Sequence, residues 1–346
     1  MPIINQVVAG SGGSTPNTYI PRKAIYGKYQ ADPDCGYTSF SVGGVTELDQ
    51  PYLLARVFFG NTNLGAGYGC STLKTVDLGN VTSFSTNCCT NMCGSCPALE
   101  KVDIHSATTI NQTAVFSYAF AGCTSLKSVG DENSDVDLRN LTSVTGGSVF
   151  NSAFNGAGIT VFDFKLLQTV TASASFQSAF QETPLVTGKF RSLSNLSGNL
   201  ALSSMCYKCS SLQSLWFYAL TPSSFGTRTN QFNLMLYNCS SVTVHFPMAI
   251  QSTIGSWSDV TAGFGGTNTT VLFDLVTSLT GADGNTYTRQ EKDSTSTATA
   301  WLYNDTLYYT SGVSDNDNGV NEPSVSDAIY SDAACTQSVT TITAIA

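Results

Sequence analysis

The sequence predicts a repeat solenoid that is rich in β-strands, contains short helical turns and is followed by a small all-β domain. Three observations lead to this prediction. One short motif recurs through the middle of the chain, and its register is lost near residue 262. Charged residues make up only 11% of the chain, against about 25% in typical soluble domains. Ser, Thr, Asn and Gly therefore carry the polar surface, as they do in strand faces and turns.

The repeated motif is clearest in Ser117–Val129, which reads S-Y-A-F-A-G-C-T-S-L-K-S-V, and Ser203–Leu215 repeats it closely. Further copies start at Asn91 and Leu234, and an earlier copy keeps only the second half, from Cys70. Degenerate copies around residues 154 and 180 keep the Ala-Phe pair and lack the cysteine. The equivalent positions 93, 120, 154, 180, 206 and 236 lie 27, 34, 26, 26 and 30 residues apart. Such near-constant steps are typical of stacked coils with loop insertions.

Each part of the motif has a physical role in a stacked coil. The Ala-Phe or Met-Cys pair places a small and a larger apolar side chain on a short helical turn that faces the interior. The cysteine three residues later is small enough for a narrow core. The L-x-x-V-x-L run that follows predicts a strand with one buried face. We therefore expect these repeat positions to line the core: Cys70, Leu73, Cys96, Leu99, Phe120, Cys123, Leu126, Phe154, Phe180, Cys209, Leu212 and Cys239.

The flanking segments differ from the repeats. Residues 1–21 combine an apolar start with a Gly/Ser-rich linker and are interpreted as an anchoring arm or a frayed tail, and residues 22–63 predict an N-terminal cap. The repeats occupy residues 64–250, and residues 251–261 are expected to be a linker. Short apolar runs between Gly- and Asp-rich turns predict that residues 262–346 form the small all-β module.

Composition argues against two classes of partner. The net charge is −9, and the 15 Lys and Arg residues are scattered, whereas binding to nucleic acid or to an anionic membrane needs clustered basic residues. We therefore expect neither partner. The chain has no apolar stretch of about 18 residues, the length that a membrane span needs. Its N-terminus lacks the basic start and long apolar core of a secretory signal, so we expect synthesis in a cytoplasm.

The cysteines raise the question of a metal site. Cys93/Cys96 and Cys206/Cys209 form two C-x-x-C pairs among the 11 cysteines. Both pairs fall on repeat positions that other copies fill with a single thiol, as at Cys123. We therefore interpret them as buried core thiols, with zinc ligands and disulfides as the alternatives. We expect no metal or other cofactor, and we expect a chain made in a cytoplasm to keep its thiols reduced.

Catalytic motifs are not apparent. His105 and His245 are the two histidines, and neither lies beside a nucleophile motif. Phosphate loops, G-x-S-x-G elbows and H-E-x-x-H motifs do not occur. The acidic turn Asp315–Gly319 is similar to a calcium loop but fails the full ligand spacing, so we interpret it as a plain turn. Two carboxylates that meet in space could still hydrolyse a glycan, although acids such as Asp131 lie in turns. We expect no catalytic residue.

The A-F-x-x-C-x-S-L-x-x-V register of residues 64–250 resembles the BspA-like leucine-rich repeats, also called the Treponema type. The usual period of that family is shorter than the one seen here, and two copies lack the cysteine. Many members of that family are bacterial surface adhesins. With its MPIINQVVAG start and Ser/Thr/Asn-rich body, the whole chain is similar to leucine-rich-repeat proteins of phages that infect gut bacteria.

This resemblance implies a non-enzymatic virion surface protein, made in the host cytoplasm: a tail fibre or receptor-binding protein, or a decoration protein of tail or capsid. The implied partners are other virion proteins, bound through the N-terminal arm, and a bacterial surface glycan or protein. We also expect a homo-oligomer. The alternatives are a BspA-like adhesin on the bacterial cell surface and a glycan depolymerase. The aromatic residues of the C-terminal module are hypothetical binding residues, although a role in the core of a small β domain is favoured for most of them; they are Trp301, Tyr303, Tyr308, Tyr309 and Tyr330.

Overall fold

The computed structural model describes residues 8–10, 38–59, 70–130, 136–227, 230–289, 298–304, 306–311, 323, 326–331 and 335–345. Stacked parallel strands dominate it and helices are short, which confirms the β-rich solenoid that the sequence predicts. Within the described residues, no helix is long and apolar enough to cross a membrane.

One parallel sheet, here called the main sheet, runs along the stack and receives one strand from each coil. Its strands are β2 (Ser39–Ser41), β4 (Thr75–Asp77), β6 (Lys101–Asp103), β8 (Ser128–Val129), β10 (Val161–Phe164), β12 (Thr187–Phe190), β13 (Ser214–Phe217), β14 (Thr243–Pro247) and β15 (Thr270–Leu275). Val136 joins β8 to β10 through single bridges to Val129 and Phe162. Strand β1 (Val8–Gly10) pairs antiparallel with β2 and covers that edge of the main sheet.

A second face of the stack consists of two-residue strands. They are β3 (Glu47–Leu48), β5 (Ser83–Phe84), β7 (Thr109–Ile110), β9 (Ser143–Val144) and β11 (Thr169–Val170). Strand β3 pairs with β5, and β9 pairs with both β7 and β11, in each case parallel. Their apolar residues, such as Val144, point inward, while residues such as Thr109 remain exposed. This face therefore presents hydroxyl and amide groups to solvent.

The third face is a series of consecutive hydrogen-bonded turns, here called the turn ladder. In one coil, Ala114, Tyr118 and Gly122 have φ angles of 53°, 54° and 74°, so every fourth residue is left-handed. The N–H groups alternate in direction: Phe120 donates to Ala153 of the next coil, whereas Ala119 donates to Phe116 of its own turn. The prediction of a short helical turn is therefore wrong. A helix directs every N–H along its own axis, whereas here alternate N–H groups join the coils.

One continuous core runs from Phe40 to Phe264 through all the coils. Every repeat position named above, from Cys70 to Cys239, is buried in it. Phenylalanines of successive coils stack in columns: the ring centroids of Phe120 and Phe154 are 5.8 Å apart, and those of Phe154 and Phe180 are 5.2 Å apart. The core of each coil is thus completed by its neighbours, as expected for a solenoid.

The parallel stack continues past the boundary that the sequence places at residue 261. Strand β15 pairs with β14 through residue 275, and Phe264 is part of the continuous core. The predicted linker is also ordered, since it contains the short helices α1 (Gln251–Ile254) and α2 (Ser258–Thr261), which bury Ile254 and Val260. The boundary was misplaced because this last coil lacks the cysteine motif but keeps the apolar strand.

Six antiparallel strands follow and form a closed sheet with its own small core. They are β16 (Ser278–Gly281), β17 (Thr286–Arg289), β18 (Ala298–Tyr303), β19 (Thr306–Ser311), β20 (Ala328–Tyr330) and β21 (Ser338–Ile345). The guanidinium of Arg289 lies 5.5 Å from the centroid of the Tyr218 ring, so the closed sheet contacts the outer face of the main sheet. That this region is an independent domain stays a prediction.

Candidate binding surfaces

The outer face of the main sheet carries a cluster of aromatic and charged side chains. The rings of Trp216 and His245, on adjacent strands, are parallel with centroids 3.5 Å apart. Nδ1 of His245 lies 2.8 Å from Oδ2 of Asp274. Trp216 is only 5% exposed, and neither its Nε1 nor Oδ1 of Asp274 has a hydrogen-bond partner. A His-Asp pair of this kind orients an imidazole in many hydrolases. In the described part of the chain, however, no hydroxyl or thiol is hydrogen-bonded to His245, so the pair has no assigned nucleophile.

A buried ion pair lies beside this cluster. The guanidinium of Arg191 donates from Nε and Nη2 to the two carboxylate oxygens of Asp163, at 2.7 and 2.9 Å. Its Cζ also lies 5.8 Å from the centroid of the Tyr218 ring, which Arg289 contacts as well. The fork geometry of arginine suits such a two-point contact with a carboxylate. These contacts tie the main sheet to the closed sheet, and we interpret them as structural.

The aromatic residues predicted to bind sugars divide between the two sides of the closed sheet. Trp301 is fully buried, and its Nε1 donates to Oγ1 of Thr310 at 2.9 Å. The indole therefore offers no ring face to a ligand, which corrects its proposed role. Tyr303 and Tyr308 are half-buried and pack against the same core. Strand alternation places Tyr309 and Tyr330 on the other side, where they are half-buried cross-strand neighbours.

The cysteines at the repeat position form contacts that apolarity alone does not explain. Sγ of Cys123 donates to the carbonyl of Cys93 at 3.0 Å, and Sγ of Cys239 donates to the carbonyl of Cys206 at 2.9 Å. Sγ of Cys209 makes the same contact with Phe180, at 2.9 Å. All of these thiols are buried and free. The thiol therefore fills the core and adds a second donor to a carbonyl of the preceding coil, which already accepts a backbone N–H, as Cys93 does from Cys96.

Burial also governs the ionisation of these thiols. It raises the pKa of Cys93, Cys123 and Cys206 well above the ordinary value, and it raises the pKa of Cys239 to about 12. The hydrogen bond from Cys206 lowers the pKa of Cys209. Metal ions and electrophiles react with the thiolate. Burial therefore keeps Cys93, Cys123, Cys206 and Cys239 protonated at neutral pH.

This ionisation predicts a specific loss of stability at alkaline pH. A thiol whose pKa is raised on folding stabilises the native state fully below its unfolded pKa, near 9.0, and loses that contribution as pH rises toward about 12. For Cys239 we expect the free energy of unfolding to fall by at most about 1.4 kcal/mol per pH unit over this range. Urea unfolding of the wild type and of Cys239→Ala at several pH values tests this. We expect a flatter slope for the variant, and parallel slopes would contradict the assignment.

One cysteine departs from the prediction of reduced thiols. Cys70 is disulfide-bonded, although it occupies the same repeat position as the free thiol of Cys96. Its backbone N–H donates to the carbonyl of Phe58, in the N-terminal coils, at 3.1 Å. Cys35 lies outside the described residues. The sequence prediction failed because the repeat alignment assigns Cys70 a core position but does not reveal which sulfur lies beside it.

Other candidate sites from the sequence remain isolated. His105 is half-exposed, and its Nδ1 contacts Oδ1 of Asp103 at 2.9 Å. No group of three or more His, Cys, Asp or Glu side chains among the described residues could hold a metal ion. The acidic turns that contain Asp131 and Asp315 lie outside the described residues.

The turn ladder carries an aromatic pair that the sequence reasoning missed. Tyr207 and Tyr237 follow the equivalent positions 206 and 236 of adjacent coils, and their rings are parallel with centroids 5.4 Å apart. Tyr237 is 40% exposed, and Leu234 beside it is 43% exposed. The repeat alignment contains the signal: identical residue types at one position of successive coils are expected to stack. We call Tyr207, Tyr237 and Leu234 the tyrosine platform.

The second face offers a polar surface of another kind. Thr109, Ser143, Thr169 and Asn195 lie in register across successive coils. Near its N-terminal end a shallow groove of about 180 Å³ lies between residues 82–84 and 109–111. Such a face has many hydrogen-bonding groups and few charges, which suits a neutral, polyhydroxylated surface better than a charged one.

Comparison with known proteins provides little information about fold or function. No protein-family model and no curated protein matches the chain. Among solved structures, the crystal structure of the pneumococcal vaccine antigen PcpA aligns with 68% of this chain and 94% of its own, at 9% sequence identity and a TM-score of 0.15. A TM-score of that size supports no conclusion about fold or function.

Proposed function

We propose that this chain is a non-enzymatic surface protein of a phage virion that belongs to the BspA-like leucine-rich-repeat proteins. Its role is that of a tail fibre, a receptor-binding protein or a decoration protein that binds a bacterial surface glycan or protein. The observation that supports this most is the continuous apolar core. Because side chains fill the interior of the stack, a ligand can bind only to its outer faces, of which the second face is polar and weakly charged.

The two ends have different roles in this proposal. The N-terminal arm docks to the particle, and the turn ladder and C-terminal region contact the host. In this proposal the arm docks at the end opposite the closed sheet, which is supported by the pairing of strand β1 with the edge of the main sheet at Ser39–Ser41. A rigid stack of coils between them keeps the attachment and contact ends apart.

Deletion of residues 1–14 tests the assignment of the ends. We expect particles assembled with this variant to lack the protein, because the arm supplies the contact with the virion, while circular dichroism shows a folded solenoid. Deletion of residues 278–346, which begins after β15, is the matched variant. It should be incorporated normally and should reduce adsorption to host cells. Normal incorporation of the N-terminal deletion, measured by mass spectrometry of purified particles, would contradict the proposal.

The disulfide at Cys70 favours a second candidate, a bacterial surface adhesin. Structural disulfides persist mainly in oxidising compartments such as the cell surface. Neighbouring genes discriminate between the two: terminase, portal and tail genes indicate a virion protein, and a cell-wall anchoring system indicates an adhesin.

A glycan depolymerase is a third candidate, and incubation with host polysaccharide followed by a reducing-end assay tests it.

A further inference from the structure

We propose that the tyrosine platform is a binding subsite for a pyranose ring of a surface glycan. This inference rests on the proposed function, since it names the ligand class of one outer face. It starts from two parallel rings contributed by adjacent coils, with centroids 5.4 Å apart and an interplanar angle of 8°. Because each coil fixes its own backbone to the next, the two rings are held in place before any ligand binds.

A glycine of the following coil lies beside Tyr237. At Gly265 of the following coil, a Cβ atom would lie 3.3 Å from the ring of Tyr237 and 3.2 Å from the side chain of Leu234. Its φ angle of 82° also favours glycine. Any longer side chain there would cover the ring. Glycine at this position therefore leaves Tyr237 40% exposed beside Leu234, which is 43% exposed.

Polar groups lie at one edge of the platform. Nζ of Lys208 donates to Oε1 of Glu182 at 3.1 Å and lies 5.1 Å from the centroid of the Tyr207 ring. Both side chains are about half-exposed, at 47% and 45%, so they can also bond to a ligand. A sugar ring matches this arrangement: its C–H face packs on an aromatic ring, and its equatorial hydroxyls reach donors and acceptors at the rim.

Two other occupants fit less well. A nucleobase also stacks on tyrosine, but its strand brings phosphates, and this chain has a net charge of −9 and one lysine at the platform. A protein partner needs a larger apolar centre than a few residues, because stable interfaces bury about 800 Å² on each side. The platform has one exposed aliphatic side chain, Leu234, and is bordered by the charged pair Lys208 and Glu182, so its apolar area is small.

The test uses the full-length protein and a panel of soluble hexasaccharides: malto-, cello-, chito-, manno- and xylohexaose. We expect saturation-transfer NMR to show contact between the protein and the ring protons of at least one sugar. In titration calorimetry with that sugar, Tyr237→Ala should weaken binding by about tenfold or more, as for loss of an aromatic anchor, and Tyr207→Ala should weaken it too. Tyr237→Phe should retain binding, because it keeps the ring.

Tyr118→Ala is the matched control, since Tyr118 is a 44% exposed tyrosine of the same turn ladder outside the platform. It should leave sugar binding unchanged. Equal losses in Tyr118→Ala and Tyr237→Ala, or no binding to any sugar of the panel, would overturn the subsite. Blocking of phage adsorption by the purified protein reports separately on the proposed function. If the wild type and Tyr237→Ala block equally, only the subsite fails. If sugar binding depends on Tyr237, but the wild type does not block adsorption and is not found in particles, only the proposed virion role fails.

Discussion

Replacing Phe154 by alanine should lower the free energy of unfolding by about 3–5 kcal/mol. Phe154 is fully buried, and its ring stacks on Phe120 of the preceding coil and on Phe180 of the following one. Truncation leaves a cavity shared by three coils, and the close-packed columns on either side leave little freedom to collapse into it. Urea unfolding followed by circular dichroism measures the loss.

Tyr118→Ala is the control for this prediction as well, because it removes an aromatic ring from the same pair of coils at an exposed position. We expect it to change the free energy of unfolding by less than about 0.5 kcal/mol, as for most surface substitutions. A broad, multiphasic transition in Phe154→Ala would show that the stack separates into parts at this coil. Equal effects of the two substitutions would contradict a continuous core.

Replacing Cys209 by aspartate should destabilise the protein by about 3–5 kcal/mol, because it places an unpaired carboxylate in the core beside a carbonyl oxygen. Cys209→Ala should cost far less, about 1–2 kcal/mol, since it removes a sulfur and its hydrogen bond to Phe180 without adding charge. Cys209→Ser keeps a donor at that position and distinguishes the loss of the hydrogen bond from the loss of apolar volume.

A zinc site would give a different order of effects. If Cys206 and Cys209 bound a metal, alanine and serine would both abolish the site, and chelators would destabilise the wild type. We therefore expect the free energy of unfolding of the wild type to be unchanged by a chelator. Stoichiometric zinc in elemental analysis of the purified protein would overturn the interpretation of these cysteines as core thiols.

The stacking register could be predicted from the sequence because it depends on spacing. Each of the positions 93, 120, 154, 180 and 206 donates its backbone N–H to the residue just before the next equivalent position, for example Cys93 to Ala119 and Cys206 to Met235. The turn ladder could not be predicted in the same way. Its left-handed residues include Ala114, Ser152 and Leu234, which have no local preference for positive φ. Bonds to the neighbouring coil impose that conformation, and a single repeat contains no sign of them.

The candidate binding residues could also be predicted only in part. The sequence predicts Trp301 and the nearby tyrosines as one group. Strand alternation divides this group, because Trp301 and Tyr303 face the core of the closed sheet whereas Tyr309 and Tyr330 lie on its other side. The tyrosine platform follows directly from the repeat alignment. The exposure of Tyr237 does not, because it depends on Gly265, in a coil whose motif is too degenerate to align.

The turn ladder also bears on how the molecule responds to mechanical load. Five amides of one coil, those of Ala114, Phe116, Tyr118, Phe120 and Gly122, donate to carbonyls of the next coil. These bonds run along the axis of the stack, and at the main sheet the same junction is bridged through Val136, which pairs with Val129 and Phe162. Tension applied between the two ends is therefore shared by all the bonds of a junction and does not open them one at a time. A tether built in this way resists steady pulling better than peeling from one side, and tension and peeling measured on single molecules should give different rupture forces.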